Sequence, residues 1–436
     1  MNNPTLARIV ALEAPTYRNT EKVLTLGGTE LTLWDVVKAS LAARLNIGLY
    51  GGAGMGKSQL LADVQGLFGN NASYVLGRND LDIKSLFREM NFAALKEARE
   101  KGGKVSQQDL SQATAEIYRP LVVVEEINRC AEIVQNQLFN IFEGFIELDG
   151  KKYPLGGSKL KVFHDVDGKK WSQNVRYSVG VWSANFGNGQ YTGTVSMDKA
   201  LKERSHLIID VDNFSPKPSD LDAILLSSGG EVRLKEQEKP KDKTSLFTEA
   251  FGQFKQGAYT PNPQELGEEL LMFRYLVFGL DYLPCEAGKN SKRVMKDVWP
   301  GKAEEDNIGD NDEKLLYRIV YPASVRGAMS IITLARSLRE YAQAKNPKTK
   351  VSVMDSVIES FKLVGAYSGM LENPQRIREQ YAGNPYRAAS DIGDKLKKRL
   401  GSHRDLMDAV LICKAQEKPL PKSIVDACVG EYACFK

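Results

Sequence analysis

The sequence predicts an α/β domain with a parallel sheet, followed by a smaller all-helical domain. Three observations carry that reading. Short apolar runs alternate with helical periodicity up to about residue 212, the pattern of strand–helix–strand units. One run, Leu121-Val122-Val123-Val124, is apolar at every position, as a strand buried on both faces of a parallel sheet requires. From Asn213 onward, apolar residues recur mainly at three- and four-residue spacing between charged loops.

Taken in order, residues 1–30 form a mixed N-terminal segment with a turn at Gly27-Gly28. Residues 31–45 follow helical spacing through Leu31, Trp34, Val37, Leu41 and Leu45. Ile47-Gly48-Leu49-Tyr50 is a short strand, and a helix starts near Lys57. Tyr74-Val75-Leu76 is a second, weaker strand, and residues 81–118 are polar and mostly helical. After the strand at 121–124, a helix starts near Ala131 with Ile133, Val134, Leu138, Ile141 and Phe142 on its apolar stripe. Asp149-Gly150 and Asp167-Gly168 each sit between alternating apolar residues, the signature of a tight hairpin turn. Residues 177–184 and 207–209 complete the strands. These features divide the chain into an N-terminal segment (1–30), an α/β domain with hairpin insertions (31–214), a helical domain with charged insertions (215–370) and a helical extension (371–436).

Composition narrows the function classes. With 436 residues, 42% hydrophobic and 26% charged, the chain is neither disordered nor fibrous. Its 59 basic and 55 acidic residues leave a net charge of +4, too little for a dedicated nucleic-acid binder without a local patch. Five cysteines without a C-x-x-C pair argue against a disulfide framework or a zinc knuckle. Three widely separated histidines argue against a histidine metal site. The chain shows neither a secretory leader pattern nor an apolar stretch near the roughly 18 residues of a membrane span. The expectation is a soluble cytoplasmic protein without a membrane partner.

Two motifs carry chemistry. Gly51-Gly52-Ala53-Gly54-Met55-Gly56-Lys57-Ser58 fits G-x-x-x-x-G-K-[ST], with a strand before it and a helix after it. Glycines let the backbone wrap tightly so that its N–H groups face phosphate oxygens, and the following helix adds its positive end. Lys57 is then the residue that reaches the β- and γ-phosphates, and Ser58 the hydroxyl that ligates Mg²⁺. Second, Glu125 and Glu126 end the apolar strand, where ligands bind in open α/β sheets. One carboxylate can hold the metal and the other can polarise an attacking water.

Beyond the two acids, Glu125-Glu126-Ile127-Asn128-Arg129 resembles the D-E-I-N-R motif of MoxR-like AAA+ ATPases, with Glu125 in place of the usual Asp. Residues 135–139 and 146–155 resemble that family's next helix and hairpin, and Gly189–Thr194 resembles a stretch of its nitric-oxide-reductase and Rubisco activase branch. The resemblance covers residues 25 to 370. It implies a P-loop AAA+ fold with a helical lid, ATP and Mg²⁺ as ligands, and a metal site of Ser58 and Glu125. It assigns Glu126 as the base and Asn185, in Ser183-Ala184-Asn185, as the residue that orients the water. Ala200-Leu201-Lys202-Glu203-Arg204-Ser205 is similar to A-x-x-D-R-F, with Glu203 and Ser205 as departures, and makes Arg204 the finger given to a neighbouring subunit. Ala323-Ser324-Val325-Arg326-Gly327 resembles the sensor 2 motif and has Arg326 touching the γ-phosphate of its own chain.

The whole-protein expectation is a homo-oligomeric ring, six copies in the family, that hydrolyses ATP at subunit interfaces and remodels a protein client. A partner with a von Willebrand A domain is common in that family. Lys151, Lys152, Tyr153, Lys169, Lys170 and Trp171 on the two hairpins are candidate client contacts. Two alternatives stand beside this reading: a nucleic-acid-translocating NTPase of the same clade, and a nucleotide-gated assembly protein with little turnover. Cys428 and Cys434 are expected as buried free thiols in the extension.

Overall fold

A computed structural model describes residues 3–101, 111–157, 159–166, 169–185, 197, 199–228, 242–256, 263–284, 290–292, 320, 322–371, 374–428 and 430–436. Its centre is a five-stranded sheet of β1 (Ile47–Gly51), β2 (Ala72–Leu76), β3 (Leu121–Glu125), β4 (Val179–Asn185) and β5 (Leu207–Asp210). All neighbours pair in parallel, and the spatial order is β5-β1-β4-β3-β2. Parallel strands need crossovers, and helices supply them: α3 (Lys57–Phe68) follows β1, and α4 (Glu132–Phe142) follows β3. Both faces of the sheet are covered, so β1 is buried at every position and Leu121 to Val124 are 0–1% exposed.

Register lines up the strand ends. Asn185 pairs with Gly51, Leu76 with Glu125, and Asp210 with Tyr50. Gly51, Glu125, Asn185 and Asp210 therefore end on one edge of the sheet. Asn46, Pro120, Ser178 and His206 stand just before β1, β3, β4 and β5, on the other edge. Close packing under the sheet depends on two small residues: a Cβ on Gly48 would come within 2.1 Å of the Trp182 ring, and one on Gly180 within 2.1 Å of the Phe142 ring.

The helical part packs around α8 (Val325–Lys345) and α9 (Val353–Gly365), with α1 (Pro4–Val10), α2 (Leu33–Ala42), α7 (Pro263–Val277) and α10 (Pro385–Ser402) against one or both of them, while α6 (Thr244–Gln256) packs on α1 and α2. The short α5 (Lys199–Arg204) precedes β5. Asp35 joins α2 to α8, accepting from Tyr341 at 2.7 Å and pairing with Lys345 at 2.7 Å. These charge-assisted bonds outweigh the burial cost of the Asp35 carboxylate, whose pKa lies below the ordinary value. The extension is docked rather than loose: the Tyr386 hydroxyl on α10 donates to Ile208 O and accepts from Asp210 N, each at 2.9 Å. That closes backbone groups of the edge strand β5. Cys428 is a buried free thiol; Cys434 is free but only half-buried.

Three expectations are corrected. Leu31 lies in a strand, Thr29–Thr32, paired with Lys22–Leu26 across the Gly27-Gly28 turn, and the helix begins only at Leu33. Thr32 and Asp35 form a capping box there, which fixes the start. Ile133 is 71% exposed, off the buried stripe of α4. Within 81–118, Arg88–Met90 and Ser111–Ala113 form a small antiparallel hairpin next to the helix Phe92–Lys101. Both Asp-Gly hairpins are present as paired strands, although residues 167 and 168 at the second turn lie outside the described residues.

Candidate functional site

The phosphate loop sits where β1 ends and α3 begins. Gly54 and Gly56 have φ of 82° and 77°, left-handed values that a side chain would strain. Gly56 is the N-cap of α3, so the helix opens directly from the loop. The Lys57 ammonium donates to the carbonyls of Gly51 at 2.8 Å and Gly52 at 2.5 Å, holding the cation over the loop's own backbone. Burial lowers its pKa, against the opposing fields of Asp212, Glu126, Asp210 and Glu125. The Gly52 N–H donates to both carboxylate oxygens of Asp212, at 3.0 and 2.9 Å, which ties the loop to the turn after β5.

Two expected metal ligands meet. The Ser58 hydroxyl donates to Glu125 Oε1. Tyr74 on the neighbouring β2 donates its hydroxyl to Glu125 Oε2 at 2.5 Å. A serine oxygen and a carboxylate in contact beside a phosphate loop are the hard oxygen donors that Mg²⁺ prefers. The extra methylene of Glu125 does not carry the carboxylate away from Ser58. Glu126 follows in left-handed backbone, φ 53°, which turns it out of the strand direction. Its N–H donates to Ser183 Oγ at 3.2 Å, and its carboxylate pairs with Arg129 at 2.7 Å.

Asn185 ends β4 in register with Gly51, and its carbonyl accepts from Asn128 Nδ2 at 2.9 Å. Gly51 through Ser58, Glu125, Glu126 and Asn185 thus gather on one edge of the sheet.

The two arginines do not join them. Arg204 ends α5, and its carbonyl accepts from Asn46 Nδ2 at 3.0 Å, at the entry of β1. Arg326 donates to Glu143 Oε1 at 2.7 Å, and Arg204 Nε lies 3.2 Å from the same oxygen. The five-residue strand β1 separates this cluster from Gly51, roughly 16 Å at about 3.3 Å per residue. The expected contact of Arg326 with a phosphate in its own chain is therefore not made in this structure: α8 starts at the opposite edge of the sheet. A cavity of about 550 Å³ opens there, lined by Arg44, Asn46, Glu143, His206 and Arg326 among others. It is not the phosphate site.

Sequence reasoning missed Tyr74, Ser183, Asp212, Arg129 and Glu143. Of these, Arg129, Ser183 and Asp212 stand in or next to a recognised feature: a motif end, the strand end Ser183-Ala184-Asn185 and the end of the last strand. Tyr74 reaches Glu125 from the neighbouring strand, and Glu143 belongs to the arginine cluster at the opposite edge. Gly189–Thr194 lies outside the described residues, and so do the side chains of Lys169, Lys170 and Trp171.

Comparison with known proteins agrees with this geometry. Residues 46–151, which hold the phosphate loop and the acidic motif, match the model of the AAA domain (dynein-related subfamily). No curated protein matches the chain. The fold is similar to that of a Cytophaga hutchinsonii protein provisionally described as an ATPase. The TM-score is 0.50 and the identity 13%, covering 83% of this chain and 88% of that one. The chain carries an ATPase domain of the AAA class. None of its helices, among the described residues, is long and apolar enough to cross a membrane.

Proposed function

We propose that this protein is a ring-forming, Mg²⁺-dependent ATPase that hydrolyses ATP between neighbouring copies and uses the turnover to remodel a protein client. One observation carries the reading: Lys57, Glu125 and Glu126 lie on one edge of the sheet, and Arg204 and Arg326 on the other. One chain in this arrangement cannot bring both sets to one nucleotide. Two copies packed edge to edge can, and a closed ring repeats that heterologous contact without leaving an open end.

In this reading the loop from Gly51 to Gly56 and the N-terminus of α3 bind the phosphates through backbone N–H groups. Lys57 exchanges its two carbonyl partners for phosphate oxygens. Ser58 and Glu125 would hold Mg²⁺, which when bound neutralises charge on the β- and γ-phosphates. Glu126 accepts a proton from the attacking water, and Asn185 at the adjacent strand end orients that water. Arg204, joined by Arg326, stabilises from the neighbour the charge spread over the transferring group. The client-facing part is assigned to the hairpin of Phe145–Leu148 and Lys151–Pro154, where Lys151 and Lys152 are exposed and Tyr153 is half-buried. A von Willebrand A domain partner and a cytoplasmic setting belong to the same proposal, supported by the family resemblance alone.

Two variants test the chemistry. Glu126→Gln keeps ATP affinity and loses hydrolysis, because the base is removed and the phosphate cradle is not. Lys57→Ala loses affinity for the triphosphate. Normal turnover by the first, or unchanged affinity in the second, contradicts the assignment.

A further inference from the structure

We infer that Glu143 is a positioning residue for the two arginines that complete the neighbour's site. The inference rests on the proposed hydrolysis between copies. Glu143 caps the C-terminal end of α4, the helix whose other end follows the acidic motif. Its Oε1 is shared: Arg326 donates to it at 2.7 Å and Arg204 Nε stands at 3.2 Å. The Arg204 contact is electrostatic, since its Nε has no aligned hydrogen bond. Phe139 lies one helical turn before Glu143, on the same face of α4. The Arg204 guanidinium lies 4.8 Å from the Phe139 ring centroid, and its Nη1 donates to Ala200 O at 3.0 Å. Ring, carbonyl and carboxylate together fix the plane and reach of Arg204.

Arg326 needs the carboxylate for a different reason. It sits in the first turn of the 21-residue α8, one residue after Val325 and two after the Ser324 cap. A cation there opposes the positive end of the helix dipole. Glu143 offsets that repulsion and holds Arg326 beside Arg204. Two guanidiniums this close would otherwise repel each other. One carboxylate from the chain's own α4 therefore sets the spacing of both cations before a neighbour's phosphate arrives. That phosphate can then replace Glu143 as their shared anion.

The test uses the full chain, saturating Mg²⁺-ATP and a fluorescent ATP analogue for affinity. Glu143→Ala is expected to bind the analogue like the parent and to lose kcat by roughly ten- to a hundredfold, the scale of a misplaced catalytic group. Mixed in equal amounts with the inactive Lys57→Ala chain, it should recover activity above the sum of the two. The phosphate site of the Glu143→Ala chain then borrows arginines from a neighbour whose Glu143 is intact. A wild-type kcat, lost analogue binding or no gain on mixing overturns the inference. Arg204→Ala mixed with Lys57→Ala separates the two levels. If that pair also fails to recover, the reading of hydrolysis between copies falls. If it recovers and Glu143→Ala with Lys57→Ala does not, only the role of Glu143 falls.

Discussion

His206 and Asp210 bracket the edge strand β5 and titrate in opposite senses. Burial, aided by Arg44 and Arg326, pushes the His206 imidazole down from 6.5 to about 4. Burial pushes the Asp210 carboxyl up from 3.8 to about 6, against hydrogen bonds from Asp212 N, Tyr367 and Asn213. Between about 4 and 6.5 the folded chain keeps His206 neutral while the unfolded chain protonates it, so its stability contribution is lost as pH falls. Between 3.8 and about 6 the folded chain keeps Asp210 protonated while the unfolded chain releases the proton, so this contribution is lost as pH rises. The two slopes offset each other in the parent. Asp210→Asn leaves the histidine slope alone, and its denaturation midpoint should fall more steeply than the parent's between pH 6.5 and 4.5. Identical pH profiles would contradict the buried, proton-holding Asp210. At this scale the sequence disclosed residues whose role is local: Lys57 and Ser58 belong to one turn, and Glu126 to one strand end. Tyr74, Asp212 and Glu143 meet their partners only after strands cross over, and spacing along the chain carries no trace of that.

At the scale of elements, the strands were legible because continuous burial demands continuous apolar sequence, as in β1 and β3. The helix start at Leu33 was displaced because Leu31 suits the inner face of a strand as well as a helix stripe. The Thr32–Asp35 capping box, not the apolar spacing, decides the boundary. The hairpin inside 81–118 had no signal, since Arg88–Met90 is exposed at every position and shows no apolar alternation. Packing between elements gives a direct test. Gly48→Ala forces a methyl into the Trp182 ring, and overpacking of this kind costs about 1–3 kcal/mol. The unfolding midpoint should drop accordingly. An unchanged midpoint would show that β1 and the Trp182 ring are less tightly joined than the structure places them.

For the whole molecule, the order β5-β1-β4-β3-β2 decides what a single chain can do. It collects the phosphate loop, the acids and Asn185 at one edge and leaves Arg204, Arg326 and Glu143 at the other. Motif recognition named most of these residues but joined Arg326 to a phosphate of its own chain, whereas α8, opened locally by the Ser324 cap, starts at the opposite edge and brings Arg326 to Glu143. The residues after 371, read from the sequence as a helical extension without a motif for a role, hold β5 through Tyr386, next to the turn that grips the phosphate loop. The proposal of a ring follows from this division of labour. Its most direct test is the solution mass of the Glu126→Gln chain with and without Mg²⁺-ATP. The account predicts an ATP-dependent shift from the single chain toward about six times 48.4 kDa. A chain that binds ATP and stays at the mass of one copy would contradict it.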